Sequence, residues 1–113
     1  MEAIARQKYV RVSHKKLRRI AEHLKGKTVN DVESILKFYP SRSSIPLRKA
    51  VHSAASNLKD KAGPDAPLPE NLIVSNIRID QGPTFKRIKR RAMGRADLMR
   101  RRTSHITVIV RGE

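Results

Sequence analysis

The sequence contains no cysteine and no tryptophan, and only 4% of its residues are aromatic. Without cysteine the chain can form no disulfide, no thiolate zinc site and no cysteine nucleophile. Its apolar runs are short, such as residues 108–110, and fall far below the roughly 20 residues that cross a bilayer. The first residues include no apolar stretch of signal-peptide length. We therefore expect a soluble protein that stays inside the cell.

Acidic residues are also scarce. The 113 residues include 10 Asp and Glu against 26 Lys and Arg, which gives a formal net charge of +16. A charge of this size indicates a polyanionic partner and says little about the fold. About a quarter of the residues are Ile, Leu, Val or Phe, which is enough for a small core. The length predicts a single domain over residues 1–113.

The positive charge is concentrated in two segments. Residues 6–27 and residues 86–102 each contain nine bases and one acid, so each has a net charge of +8. The remaining residues have eight bases and eight acids and are neutral overall. Because two segments account for the whole surplus, the charge indicates binding surfaces and not a general aid to solubility.

Three helices are predicted between residues 13 and 62. Ser13 is a predicted N-cap for a first helix that Gly26 ends. The apolar stripe of this helix consists of Leu17, Ile20, Ala21 and Leu24. A second helix begins near Thr28 or Asn30, both of which precede an acid at capping-box spacing, and we favour Asn30. A third helix runs from about residue 44 to about residue 62 and ends at a Gly-Pro pair.

Three strands are predicted at residues 3–12, 72–80 and 103–111, where β-branched residues are frequent. We expect the first to be an edge strand, and we expect residues 63–71 to form a surface loop. The fold class is therefore α+β, with three helices packed on a small three-stranded antiparallel sheet.

The second basic segment lies between the last two predicted strands and has two interpretations. A structureless loop of about two dozen residues is uncommon in a compact domain. The alternative is a long, protruding basic β-hairpin at about residues 80–104 that turns near Ala92, Met93 and Gly94. An isolated two-stranded ribbon is marginally stable in water, and its bases repel one another. We therefore expect this segment to become ordered only against an anionic surface.

No arrangement of residues predicts catalysis. The four histidines have no spacing that would place two on one helix face, and the acids are scattered. Gly26-Lys27-Thr28 resembles the end of a P-loop, but the required first glycine is replaced by Ala21. We expect no enzymatic activity, no metal and no cofactor.

Three segments closely resemble a known family: DQGPTFKR at 80–87, RAMGRAD at 91–97 and RTSHITV at 102–108. SAASN at 53–57 adds a match in the third predicted helix. Together they are similar to large-subunit ribosomal protein family twenty-two, of bacterial or organellar type. The resemblance covers essentially the whole chain.

The resemblance implies a structural constituent of the large ribosomal subunit that binds its ribosomal RNA and supports assembly. It implies a globular part on the subunit surface and a hairpin that lines the polypeptide exit tunnel. The expected partners are large-subunit ribosomal RNA, neighbouring large-subunit proteins and the nascent polypeptide near the hairpin tip, with no membrane. The expected location is the cytoplasmic ribosome, and an organellar ribosome stays open.

The basic segments and the resemblance together predict the functional residues. The predicted RNA-binding residues are Arg11, Lys15, Lys16, Arg18, Lys25, Lys27, Lys86, Arg87, Lys89, Arg90, Arg91, Arg95, Arg100, Arg101 and Arg102. The predicted tunnel-facing tip is Arg90, Arg91, Ala92, Met93 and Gly94. Arg19 and His23 stand where apolar residues are common in the family, and whether they face RNA is left open.

Two other classes of protein also fit a basic chain. A DNA-bending protein with basic β-arms is the main alternative, although such proteins need a wedge at the arm tip and a dimer interface. A membrane-surface peptide would need basic amphipathic helices with Trp or Phe anchors. A preference for folded ribosomal RNA over duplex DNA near physiological salt would separate the first alternative from the ribosomal interpretation.

Overall fold

The computed structural model describes residues 2–65 and 71–112. The elements in chain order are β1 (Glu2–Val10), α1 (His14–Ala21), α2 (Val29–Phe38), α3 (Ser44–Ala62), β2 (Leu72–Gln81), β3 (Phe85–Arg90), β4 (Ala96–Arg101) and β5 (Ser104–Gly112). A short 3₁₀ turn at Gly63–Asp65 follows α3. Residues 66–70 of the predicted surface loop lie outside the described residues.

The main sheet is antiparallel with the strand order β1-β5-β2. The central strand β5 alternates between faces, and its inward residues Ile106, Val108 and Val110 are fully buried. The predicted α+β class, the three-stranded sheet and the edge position of the first strand are thereby confirmed.

Helix α3 lies across β1 and β5 and also packs against α2. Its buried stripe includes Val51, Ala54 and Leu58, and the small alanine allows the strands to approach closely. The helix also covers the free edge of the sheet, because Asn57 Nδ2 and Lys61 Nζ donate to the β1 carbonyls of Ile4 and Glu2 at 3.1 and 2.9 Å. Edge strands that are covered in this way are protected from pairing with another chain.

The first helix is shorter than predicted. It ends at Ala21, and the next residues form tighter turns in which the N–H groups of His23 and Leu24 donate to the carbonyls of Ile20 and Ala21. Leu24 nevertheless remains fully buried. Ser13 occupies the predicted N-cap position, but its hydroxyl makes no capping hydrogen bond.

The preferred cap of the second helix was wrong. Thr28, and not Asn30, is the N-cap of α2, and its hydroxyl accepts a hydrogen bond from the backbone N–H of Asp31 at 3.3 Å. The earlier start has a packing reason, since it brings Val29 into the helix with only 3% of its surface exposed. Asn30 is exposed in the first turn.

The second basic segment is a β-hairpin, which confirms the second of its two interpretations. Strands β3 and β4 form a separate two-stranded antiparallel sheet. The hairpin lengthens the molecule to 65 × 24 × 17 Å and raises its radius of gyration to 17.1 Å. A compact domain of this length would have a radius of gyration of about 13 Å. The difference shows that the hairpin projects beyond the core.

Candidate nucleic-acid interface

The hairpin is attached to the sheet by a tight contact between two loops. The Gly82 N–H donates to the Thr103 carbonyl at 2.9 Å, and the Thr103 hydroxyl donates to the Pro83 carbonyl at 2.6 Å. A Cβ at position 82 would lie only 2.5 Å from Thr103 Oγ1, so this approach requires glycine. The contact sets the direction in which the hairpin leaves the core.

Along the hairpin, cross-strand pairs divide the side chains between two faces. Phe85, Arg87 and Lys89 pair with Arg101, Met99 and Asp97, and their side chains share one face because side chains alternate along a strand. The other face has the pairs Lys86–Arg100, Ile88–Leu98 and Arg90–Ala96. Met99 is half-buried, and the other eleven residues of the two strands are exposed.

The hairpin tip is a turn of residues 91–95. The Arg91 N–H donates to the Arg95 carbonyl at 2.7 Å, and Met93 and Gly94 both have a positive φ, of 64° and 73°. Arg91 Nε lies 2.7 Å from Asp97 Oδ2, in an exposed ion pair. The turn is centred where the sequence predicts it, and its five predicted tip residues are all exposed.

The base of the hairpin and the globular part enclose an open groove of about 1680 Å³. Arg11 and Lys16 line it from the globular part, and Arg87, Lys89, Arg90, Arg100, Arg101 and Arg102 line it from the hairpin. The two basic segments, separated by about sixty residues, therefore meet along one surface. Within residues 2–65 and 71–112, none of these side chains has a carboxylate within 4.0 Å. Such a concentration of uncompensated charge attracts a polyanion.

Other predicted residues lie away from the groove. Lys25 and Lys27 are exposed in the turn between α1 and α2, and neither lines it. Arg18 faces β2, and its guanidinium donates to the Ile79 carbonyl. All fifteen predicted RNA-binding residues are exposed. Arg19 and His23 are exposed as well.

The described residues contain no group of three or more His, Asp or Glu side chains that could hold a metal ion. Among the helices of the described chain, none is both long and apolar enough to span a membrane.

A family model described as Ribosomal protein L22p/L17e matches residues 5–111 of the chain. This protein belongs to that family. The similar segments quoted from the sequence all fall within the matched range, and the resemblance to large-subunit ribosomal protein family twenty-two is thereby confirmed.

Bacterial relatives of this family match nearly the full chain. A protein of Maridesulfovibrio salexigens named large ribosomal subunit protein uL22 is 47% identical over 111 residues, covering 98% of each chain. One of the same name from Desulfitobacterium hafniense (strain DSM 10664 / DCB-2) is 48% identical over 109 residues, covering 96% of this chain and 91% of its own. A third, from Desulforamulus reducens, is 46% identical over 110 residues, covering 97% and 95%.

Sequence reasoning missed one residue of this L22p/L17e-family interface. Arg42, between α2 and α3, also lines the groove, although it belongs to the part of the sequence with no net charge. Tyr9 lines the groove from a bulge in β1. No local pattern marks Arg42, because the fold brings it to the hairpin base from a distant position. Tyr9, like Phe85, is one of the few aromatic residues, and the sequence left a base-stacking role and a core or edge role equally open for both.

Proposed function

We propose that this chain is a structural constituent of the large ribosomal subunit that binds large-subunit ribosomal RNA and supports assembly of the particle. The observation that carries the proposal is the groove at the hairpin base, where both basic segments meet with no carboxylate partner in the described chain. Membership of the L22p/L17e family supports it independently. The protein is a structural component and not an enzyme.

The fifteen predicted bases supply the RNA contacts in this proposal. Arginine suits this role because its planar guanidinium is weakly hydrated and binds phosphate through two hydrogen bonds. Every residue of the hairpin strands except Met99 is exposed, so RNA can contact both faces of the hairpin. Contacts to phosphate position the protein and do not read base sequence.

The hairpin tip reaches the wall of the polypeptide exit tunnel, and residues 90–94 face the tunnel and the nascent chain. The length of the molecule supports this role, since a 65 Å long protein can touch the subunit surface and still extend into its interior. Neighbouring large-subunit proteins contact the globular part. In cells the protein is found on cytoplasmic ribosomes.

Competition binding tests the proposal. The protein is mixed with labelled large-subunit ribosomal RNA and challenged with duplex DNA of equal phosphate concentration, at about 150–200 mM salt. We expect the ribosomal RNA to retain the protein. If duplex DNA displaces the RNA, the DNA-bending alternative is correct and the ribosomal proposal fails.

A further inference from the structure

None of the four aromatic side chains of this protein lies in the core. Tyr9, Phe38, Tyr39 and Phe85 are exposed by 61, 80, 36 and 47% of their surface, while the buried side chains of the described core are aliphatic. Aromatic rings normally contribute strongly to a core because each buries a large area. Exposed rings are therefore available to a ligand, and two of them, Tyr9 and Phe85, line the same groove.

The position of Tyr9 is set by an unusual backbone conformation. The register of β1 against β5 shifts between Gln7 and Val10, and within this bulge Tyr9 has a φ of 59°. The left-handed region is unfavourable for an L-residue other than glycine because Cβ comes too close to a backbone carbonyl oxygen. Bulges change the direction in which a side chain points, and strain of this kind is concentrated at functional sites.

His105 of β5 stabilises this conformation. Its Nδ1 accepts a hydrogen bond from the Tyr9 backbone N–H at 3.1 Å. The two rings also make an edge-to-face contact, with centroids 5.1 Å apart and planes at 89°. His105 thus holds both the backbone and the ring of Tyr9 while most of the tyrosine side chain stays exposed.

Phe85 enters the groove from the first residue of β3. The guanidinium carbon of Arg87 lies 6.0 Å from the centre of its ring. Arg11, Lys16 and Arg101 line the same groove as the two rings. Aromatic side chains that stack on bases, beside cations that bind the phosphates, are the combination used by proteins that bind single-stranded nucleic acid.

We propose that Tyr9 and Phe85 form a stacking site for unpaired RNA bases at the base of the hairpin, with His105 as the positioning residue for Tyr9. The inference rests on the proposed RNA binding and deepens it by naming the RNA feature that the groove recognises. A groove that bound only duplex backbone would need the cations but not the two rings.

Binding to two synthetic probes isolates the contribution of the bases. One probe is an oligoadenylate of about 12 nucleotides, and the other is an abasic oligonucleotide with the same number of phosphates. We expect the full chain to bind the oligoadenylate roughly 5-fold more tightly or better, because each stacked base contributes about 1–3 kcal/mol. Equal affinity for the two probes would overturn the proposal.

Variants of Tyr9 assign this preference to the ring. Tyr9→Asn removes the ring but tolerates the positive φ. We expect it to lose roughly 5-fold or more in affinity for oligoadenylate and to bind the abasic probe as the parent does. Tyr9→Phe should keep the parent affinity, and Phe85→Leu should behave like Tyr9→Asn. Tyr39→Asn, at an exposed tyrosine outside the groove, is the matched control and should have no effect.

A double-mutant cycle tests the role of His105. His105→Phe keeps a ring beside Tyr9 but cannot accept its N–H. We expect it to weaken oligoadenylate binding in the parent and to add no loss in the Tyr9→Asn background. Equal losses in the two backgrounds would show a general structural role and would overturn the assignment of His105.

Tyrosine fluorescence provides a direct readout, because the chain has no tryptophan and only two tyrosines. In Tyr39→Phe the emission comes from Tyr9 alone, and we expect oligoadenylate, but not the abasic probe, to quench it. Unchanged emission at saturation would overturn the stacking site. If Tyr9→Asn and Phe85→Leu bind ribosomal RNA with the full parent affinity, the stacking site is refuted and the ribosomal proposal stands. If duplex DNA displaces ribosomal RNA from the parent protein, the ribosomal proposal itself is refuted.

Discussion

The guanidinium of Arg18 donates two hydrogen bonds to the backbone carbonyl of Ile79, at 3.1 Å from Nε and 2.9 Å from Nη2. Ile79 lies in the edge strand β2, and Arg18 lies on α1. The side chain therefore ties the first helix to the free edge of the sheet, opposite the edge that α3 covers. A base predicted to contact RNA also holds the fold together.

Arg18→Met should lower the stability of the protein. Methionine keeps most of the aliphatic length of arginine but cannot donate to Ile79, so we expect the free energy of unfolding to fall by about 1 kcal/mol. Urea unfolding followed by far-ultraviolet circular dichroism measures this change. Arg19→Met is the matched control on the same helix and should change stability by less than about 0.5 kcal/mol. Equal losses from the two variants would contradict the anchoring role.

Helix α2 offers a second pair of matched substitutions. Thr28→Ala removes the hydroxyl that accepts the Asp31 N–H, and we expect a loss of about 1 kcal/mol in the free energy of unfolding. Asn30→Ala leaves the cap intact and replaces a poor helix former with the best one, so its effect should be neutral or slightly stabilising. Thermal unfolding of both variants measures the difference. The reverse order would identify Asn30 as the cap.

Gly82→Ala should disturb the attachment of the hairpin. The new Cβ would meet Thr103 Oγ1 at 2.5 Å and the Thr103 carbonyl carbon and oxygen at 3.2 Å, so the loops must separate. We expect a loss of about 1–3 kcal/mol in the free energy of unfolding, together with altered amide chemical shifts at positions 82–84 and 102–104. Gln81→Ala, at the exposed preceding residue, should leave both measurements almost unchanged. A fully stable Gly82→Ala protein would show that this contact is not tight.

Salt dependence distinguishes groove bases from other surface bases. Replacing Arg100 and Arg101 with Gln should reduce the slope of log affinity for ribosomal RNA against log salt by about 0.7–0.9 for each phosphate contact that is lost. The same change at Arg48 and Lys49, exposed on α3 outside the groove, removes equal charge. We expect a much smaller change in slope from this control pair. Equal changes would mean that net charge, and not the groove, determines binding.

Local signals in the sequence were sufficient for the long third helix. Its observed bounds, Ser44–Ala62, agree with the prediction because Pro46 favours the first turn and Gly63, with a φ of 65°, ends the helix. The predicted start of α2 was wrong by two residues because Thr28 and Asn30 have the same spacing to an acid. Burial of Val29 decides between them, and burial depends on the tertiary structure.

The candidate interface was predictable in charge but not in shape. The two basic segments and the position of the turn follow from composition and local sequence. The contribution of Arg42, the bulge at Tyr9 and the bond from Arg18 to Ile79 all depend on contacts between residues far apart in the chain. A linear pattern contains no information on such contacts, which is why these features emerge only from the fold.

The projecting hairpin has a consequence for the strength of RNA binding. Bases at its tip and bases on the globular part are held at opposite ends of one molecule that is 65 Å long. Once one end is bound, the other end searches only a small volume, so its second contact forms at a high effective concentration. A single small protein can in this way hold together two RNA segments that are distant in the nucleotide sequence. The complex then dissociates far more slowly than it would with either contact alone.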